Sequence, residues 1–539
     1  MPARFRTHPI WCALVISSLA SVAAPCAPAE QVIEEIRAAA LARDADPNSH
    51  PLPLAASWNM GEIATGFDPG YQIEQIKQGQ YILPWFGLSV PRPPPGEWFN
   101  YPQPTDSPLY YQAAIHYLAE HHLPLSFLGT QWEVLLPQVA AAYARDGASA
   151  KPPLLSPSDP VAPWAAVGRQ WAQQPTLKRL QELYPDPPLV LFVSNNEQGK
   201  QTPEQLQAAW RADADTALIA RRRAIGDAWI ERYRTLQRGF REGLDAPQWR
   251  AHALFVGYDA FMTPAVGRWG GWPEYSLYVP GRMEAWPYAW DGATVSYYVH
   301  DWAPDADYIV WSPEIEAMNY LPVLAEVRKR QPQFWFEISV WDGQQRGQPT
   351  DKRRFYAERK QQWSPLRYGG LTQFGMWLLR PRVVREFRNA TDDRIRFGPY
   401  FSQILAAVAR VHEDPTLREF WRSGRLVVNP RGGHPYQAAL PSEIAAAARW
   451  FLLDSTANPA RPWTLSTPLP VFALALERGE RPHREWLVYA FAPLDLEHES
   501  QIAIPGGPEM KITATTAGSF SLVREGEAAP LTVGTVKGG

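Results

Sequence analysis

Two apolar segments of the chain each run into a glutamate. One is Leu189 to Glu197 (Leu-Val-Leu-Phe-Val-Ser-Asn-Asn-Glu). The other is Gln333 to Glu337 (Gln-Phe-Trp-Phe-Glu), which continues through Ile-Ser-Val-Trp to Asp342. A carboxylate at the end of a buried strand is penalised as an anion unless something pairs with it. Two such carboxylates, far apart in the chain, suit a site where one acts as an acid and the other as a base or nucleophile. That is the chemistry of glycosidic bond cleavage. Asn195 and Asn196 precede Glu197, and an amide beside the acid is placed to hold a sugar hydroxyl next to the bond to be cut.

The elements needed to position such a pair can be read from the pattern of apolar runs. Between about Ala55 and Arg382, short Val/Leu/Ile/Phe/Tyr/Trp runs end near Trp58, Phe86, Gly129, Glu197, Asp259, Trp302, Glu337 and Trp377. Each is bounded by Gly, Pro, Asn or Asp, as strands are. Helical patterns lie between most of them, at Tyr111–His121, Thr216–Leu244 and Pro313–Arg330. Eight strand–helix alternations predict an α/β fold, a (β/α)8 TIM barrel with enlarged loops. No glycine-rich nucleotide fingerprint follows any strand, which disfavours an open doubly wound sheet. A helical stretch, Phe401–Trp421, closes the region. Five short strands with close turns follow after Pro462, and they predict a C-terminal antiparallel β-sandwich. The expected division is a signal peptide over 1–29, a catalytic barrel over 30–425 and an accessory sandwich over 426–539.

An Asn-Glu pair ending the fourth strand, with a glutamate ending the seventh, resembles the clan A superfamily of retaining glycoside hydrolases on (β/α)8 barrels. A β-domain after the barrel is similar to agarase- and porphyranase-like members. The resemblance covers about two-thirds of the chain and matches no specific family motif. It implies Glu197 as the acid/base, Asn196 as its substrate-binding neighbour and Glu337 as the nucleophile. The implied mechanism is double displacement with retention, which needs the two carboxyl groups about 5–5.5 Å apart.

Other strand-end residues are expected to line the same mouth. Trp58 and Asn59 belong to the first strand and Trp85 to the second. Tyr258, His300, Trp302 and Trp341 end later strands, and Trp377, on the eighth, is expected to form the floor under the sugar. Asp259, Asp301, Glu314, Glu316, Glu133 and Asp342 are rival acids, each also explained as a helix cap, hydroxyl binder or ion pair. Arg268, Arg380 and Arg382 suit a sulfate or carboxylate on a glycan, or plain packing. The chain has 24 Trp and 22 Tyr, many of them in Pro- and Gly-rich stretches. Indole faces there suit stacking on sugar rings.

Composition excludes several classes. The net charge is −3 with no long charge run, so nucleic-acid binding has no electrostatic support. A basic start, an apolar run from Ile10 to Ala24 and Ala27-Pro28-Ala29 read as a secretory signal peptide cleaved after about Ala29. The expected location is therefore secreted or periplasmic, with no membrane association after cleavage. Both cysteines, Cys12 and Cys26, fall in that segment, so disulfides and thiolate chemistry are not expected in the mature chain. His116, His121 and His122 lack metal-ligand spacing, and no metal or other cofactor is expected. There is no Gly-x-Ser-x-Gly elbow. The expected activity is a glycoside hydrolase acting on a polysaccharide or oligosaccharide. The alternatives are a non-catalytic glycan-binding protein on a degenerate barrel and a polysaccharide lyase, which would use a Tyr or His base.

Overall fold

The computed structural model describes residues 29–42, 50–57, 69–87, 90–92, 97–99, 107–129, 135–146, 159–195, 216–258, 290–298, 335–341, 364–386, 394–428, 452–453, 471–493, 496–527 and 529–534. The expected signal segment lies outside these residues, apart from Ala29, the first residue of helix α1 (Ala29–Leu41).

Eight strands form one parallel sheet. They are β1 (Leu54–Ser57), β2 (Trp85–Gly87), β5 (Leu125–Gly129), β6 (Val190–Asn195), β7 (Ala253–Tyr258), β8 (Gly292–Tyr298), β9 (Trp335–Trp341) and β10 (Val383–Glu386). A small antiparallel hairpin, β3 (Val90–Arg92) and β4 (Glu97–Phe99), stands apart from it. The order across the sheet is β1-β10-β9-β8-β7-β6-β5-β2, and every neighbouring pair is parallel. The sheet curls until its ends approach, where Ala55 bridges Ile82. Parallel strands buried on both faces must be apolar throughout, and Leu189-Val-Leu-Phe-Val193 and Phe336-Glu-Ile-Ser-Val340 meet that demand except at the polar positions discussed below.

Helices α2 (Pro69–Lys77), α3 (Ser107–Glu120), α4 (Pro137–Asp146), α5 (Ala162–Ala172), α6 (Pro175–Leu183), α7 (Thr216–Gly243) and α8 (Pro247–His252) connect the first strands. Helices α5 and α7 cross so closely that a Cβ on Gly168 would overlap the Leu236 carbonyl oxygen, and one on Gly239 would overlap that of Ala165. Only glycine permits this approach of two backbones.

Helix α9 (Pro365–Leu379) precedes β10; α10 (Arg394–Glu413) and α11 (Pro415–Ser423) follow it. Asp414 separates the last two: its carboxylate accepts from Thr416 N and Leu417 N at 2.8 and 3.0 Å, and Pro415 opens the new helix. Ser364 caps α9 by accepting from Arg367 N at 3.2 Å. The helix ends at Arg380 in the left-handed region (φ 43°), whose side chain donates to the carbonyls of Trp421 at 3.2 Å and Gly424 at 2.7 Å. Every residue of α9 from Arg367 to Leu379 is buried.

The C-terminal part is a second sheet, built from β11 (Arg425–Leu426), β12 (Leu452–Leu453), β13 (Phe472–Arg478), β14 (Glu485–Phe491), β15 (Glu497–Ala503), β16 (Glu509–Thr515), β17 (Ser519–Arg524) and β18 (Leu531–Val533). Its ladder branches, with β17 as well as β13 pairing with β14. One face of this sheet packs on α9. Phe472, Leu474, Leu476, Tyr489, Phe491 and Phe520 join the same apolar cluster as the parallel sheet. Tyr489 Oη donates to Gly370 O at 2.6 Å and Gln373 Nε2 to Ala517 O at 2.9 Å, which fixes the contact in register. The other face encloses a separate cluster around Trp486, Val488, Ile502, Ile512 and Val523.

The expected (β/α)8 TIM barrel with an antiparallel sandwich is corrected by these observations. The ends of the parallel sheet meet at one isolated bridge rather than along a ladder. The connections from β7 to β8 and from β8 to β9 lie almost entirely outside the described residues, so eight regular strand–helix alternations are not displayed. The second sheet is mixed, because β14 and β16 run parallel where Phe491 meets Thr515. The architecture is a curled parallel sheet with helices, carrying a branched mixed sheet.

Candidate functional site

The polar residues that the fold buries lie inside the curl. Glu337 is the third residue of β9, not its last, and it is fully buried. Its Oε2 accepts from Thr294 Oγ1 on β8 at 2.8 Å and from Arg385 Nε on β10 at 3.0 Å. Its Oε1 accepts from Trp335 Nε1 at 2.9 Å and from Arg385 Nη2 at 2.9 Å. The same Nη2 donates to Ser126 Oγ on β5 at 3.3 Å. Neither side chain of the ion pair has any solvent exposure. The pairing is bidentate, the geometry that best offsets the cost of removing both charges from water.

The residue expected as the nucleophile is thus an interior ion-pair partner. A nucleophile needs an oxygen open to substrate, and both of its oxygens are committed to four donors in a closed interior. The register explains the location. Glu337 lies level with Thr294 and with Val383, the first residue of β10, so four further residues of β9 carry the chain to its carboxyl end at Trp341.

Trp377 is corrected as well. It is in α9, not on a strand, and is 1% exposed. Its ring meets Trp421 edge-on at 5.1 Å and Phe520 at 5.2 Å, so it packs the helix against α11 and the second sheet. The eighth strand is β10. Arg380 serves the end of α9, and Arg382 lies over the Trp335 ring at 5.1 Å while donating to Ala42 O. Both arginines hold the fold together rather than face a glycan. Trp164, Trp171, Trp249, Trp290, Trp335, Trp421 and Trp486 are fully buried too. Much of the tryptophan content therefore fills the core.

Three expected site residues lie on strands of the parallel sheet, two of them at its carboxyl edge. Trp85 opens β2, Tyr258 ends β7 and Trp341 ends β9. Trp58, Asn59, Asn196, Glu197, His300 and Trp302 lie outside the described residues, as do the acids Glu133, Asp259, Asp301, Glu314, Glu316 and Asp342, and Arg268. In sequence, Trp58 directly follows β1, Asn196 and Glu197 follow β6, Asp259 follows β7 and Asp342 follows β9. Among the described residues no group of His, Cys, Asp and Glu is arranged to hold a metal, and no helix is long and apolar enough to cross a membrane.

Arg385, Thr294, Ser126 and Glu386 were not singled out from the sequence. Glu386 is the last residue of β10 and is fully buried. It follows Arg385, whose side chain enters the interior, so the strand's alternation sends Glu386 to the opposite face. The signal for this pair was the charged Arg-Glu doublet closing a Val-Val run.

A second buried cluster lies near the start of β1. His412 of α10 is fully buried, stacks on Tyr81 at 3.8 Å, and its Nε2 meets Pro53 O at 2.8 Å. Its Nδ1 lies 3.9 Å from the Glu35 carboxylate of α1, which Arg418 approaches to 3.5 Å. Burial drives the imidazole down to about 3, and the Arg418 and Arg422 charges push the same way against the pull of the Pro53 carbonyl. Burial also lifts the Tyr81 phenol to about 12. A neutral histidine and an un-ionised phenol here tie α1, β1 and α10 together.

No protein-family model matches the chain, and no curated protein matches its sequence.

Proposed function

We propose that the protein is a glycoside hydrolase whose chemistry occurs at the carboxyl edge of the parallel sheet, with Glu197 as the proton donor. One observation carries the reading: all eight strands run parallel, so their carboxyl ends gather on one edge. In parallel α/β sheets, ligands bind outside those ends. The residues that end or directly follow the strands are rich in what a sugar site needs. They include Trp58 and Asn59, Asn195 to Glu197, Tyr258 and Asp259, and Trp341 and Asp342. Aromatic faces and amides bind sugars, and carboxylic acids move the proton.

The second carboxylate is Asp259 or Asp342, the acids that directly follow β7 and β9. Glu337 has no part in it. The basic start and apolar run of the N-terminal segment support a location outside the cytoplasm, with a polysaccharide as the substrate.

The test is turnover on a panel of neutral and sulfated plant and algal glycans, read as new reducing ends. Glu197→Gln removes turnover by about 10²–10⁴-fold, the usual contribution of a general acid. Of Asp259→Asn and Asp342→Asn, the one that matches this loss identifies the partner. Full activity in Glu197→Gln overturns the assignment. Specific glycan binding without turnover by the wild type supports the second reading, a glycan-binding protein, which the buried, ion-paired state of Glu337 favours.

A further inference from the structure

We propose that Arg385 is a positioning residue for the strand-edge site, and that with Glu337 and Ser126 it sets the separation between β5 and the β9–β10 pair. The inference rests on the reading that the chemistry lies at that edge.

The geometry is that of a cross-brace. In sheet order β10 and β5 have β9, β8, β7 and β6 between them. Arg385 nevertheless reaches Ser126 on β5 at 3.3 Å while its other donors grip Glu337 on β9. Glu337 in turn receives Thr294 from β8 at 2.8 Å. Four strands are thus held by one connected network in the interior. Its members Ser126, Thr294, Glu337 and Arg385 are all 0% exposed. Hydrogen bonds in such a dry setting are directional and costly to break.

A ladder bond fixes a strand only to its neighbour. The guanidinium fixes strands that do not touch, and so controls how far apart their ends stand. The ends in question lead to Asp342 after β9 and to Thr130 after β5. Substrate groups held from opposite sides of the curl depend on that spacing, and a displacement of about 1 Å in a catalytic site costs up to about 10²-fold in rate.

The test uses the full chain with two variants. Ser126→Ala removes only the bond across the interior, leaving the Arg385–Glu337 pair intact; Arg385→Lys keeps the charge but loses the fork. Hydrogen–deuterium exchange is followed in segments 125–129 and 383–386, with 485–491 as the control. The expected result is faster exchange in both test segments and none in the control. On a glycan that the wild type turns over, kcat falls roughly tenfold in Ser126→Ala while KM and the thermal midpoint stay near wild type. Unchanged exchange in 125–129 overturns the brace. Faster exchange with wild-type kcat and KM overturns the positioning role, leaving a structural one. If the wild type turns over no glycan, the functional reading fails, the positioning role goes with it, and the exchange data alone decide the brace.

Discussion

His412 makes stability depend on acid in a way that can be calculated. The imidazole sits at about 3 in the folded protein because burial disfavours its cation; in an unfolded chain it returns to the ordinary 6.5. The unfolded state therefore binds the extra proton first as pH falls. Stability is fully present above pH 6.5 and is lost progressively as pH drops from there toward 3. The slope is about 1.4 kcal/mol per pH unit, so the fall from pH 6.5 to pH 5 takes away roughly 2 kcal/mol. Tyr81, Arg418, Arg422 and Glu35 face the ring, and the neighbouring Glu413 carboxyl is itself raised by burial. A raised carboxyl has the opposite sign and loses stability as pH rises, but it is common to wild type and variant and largely cancels in their difference. The assay is urea unfolding of wild type and His412→Gln at several values between pH 5 and pH 7. The wild-type stability falls more steeply than the variant's by about one proton's worth. Parallel curves over that window would refute the claim that the histidine is buried neutral.

Three further outcomes follow from packing and from the buried pair. Trp377→Ala lowers unfolding free energy by about 3–5 kcal/mol in a denaturant titration and leaves KM for any glycan unchanged; a KM effect without a stability loss would restore Trp377 to the site. Gly239→Ala forces α5 and α7 apart and costs about 1–3 kcal/mol, read from the thermal midpoint, whereas Gly398→Ala on α10 adds a Cβ that would meet nothing and serves as the comparison. Glu337→Gln costs about 3–5 kcal/mol because it leaves the Arg385 charge buried without its counter-ion, and the double replacement by methionine recovers much of this in the same titration.

The strands were legible where the chain is apolar for a reason that local sequence can show. The Val190–Asn195 and Ala253–Tyr258 runs are bounded by turn residues, and β14 is among the short strands expected after Pro462. The eighth strand was misplaced because α9 is buried on every side between two sheets. A helix with no wet face has no polar period, so Phe374 to Leu379 reads like a strand. The true strand, Val383–Glu386, is only four residues long and half charged. The partners of Glu337 were illegible for a different reason. A glutamate in an apolar run marks a strand end if nothing pairs with it. Its partners Thr294 and Arg385 lie on other strands, at sequence separations of 43 and 48. No local pattern announces a partner at that distance.

Helix α9 imposes an order of events on the growing chain. It leaves the ribosome well before Phe472 to Arg524, the strands that cover its second face. At ordinary synthesis rates that leaves an almost wholly greasy rod uncovered for on the order of ten seconds. A nascent protein in that condition is a client for holdase chaperones, and one truncated before β13 has no way to dissolve the problem. The C-terminal strands cover the second face of this helix, so any attempt to express the N-terminal sheet by itself must first replace them.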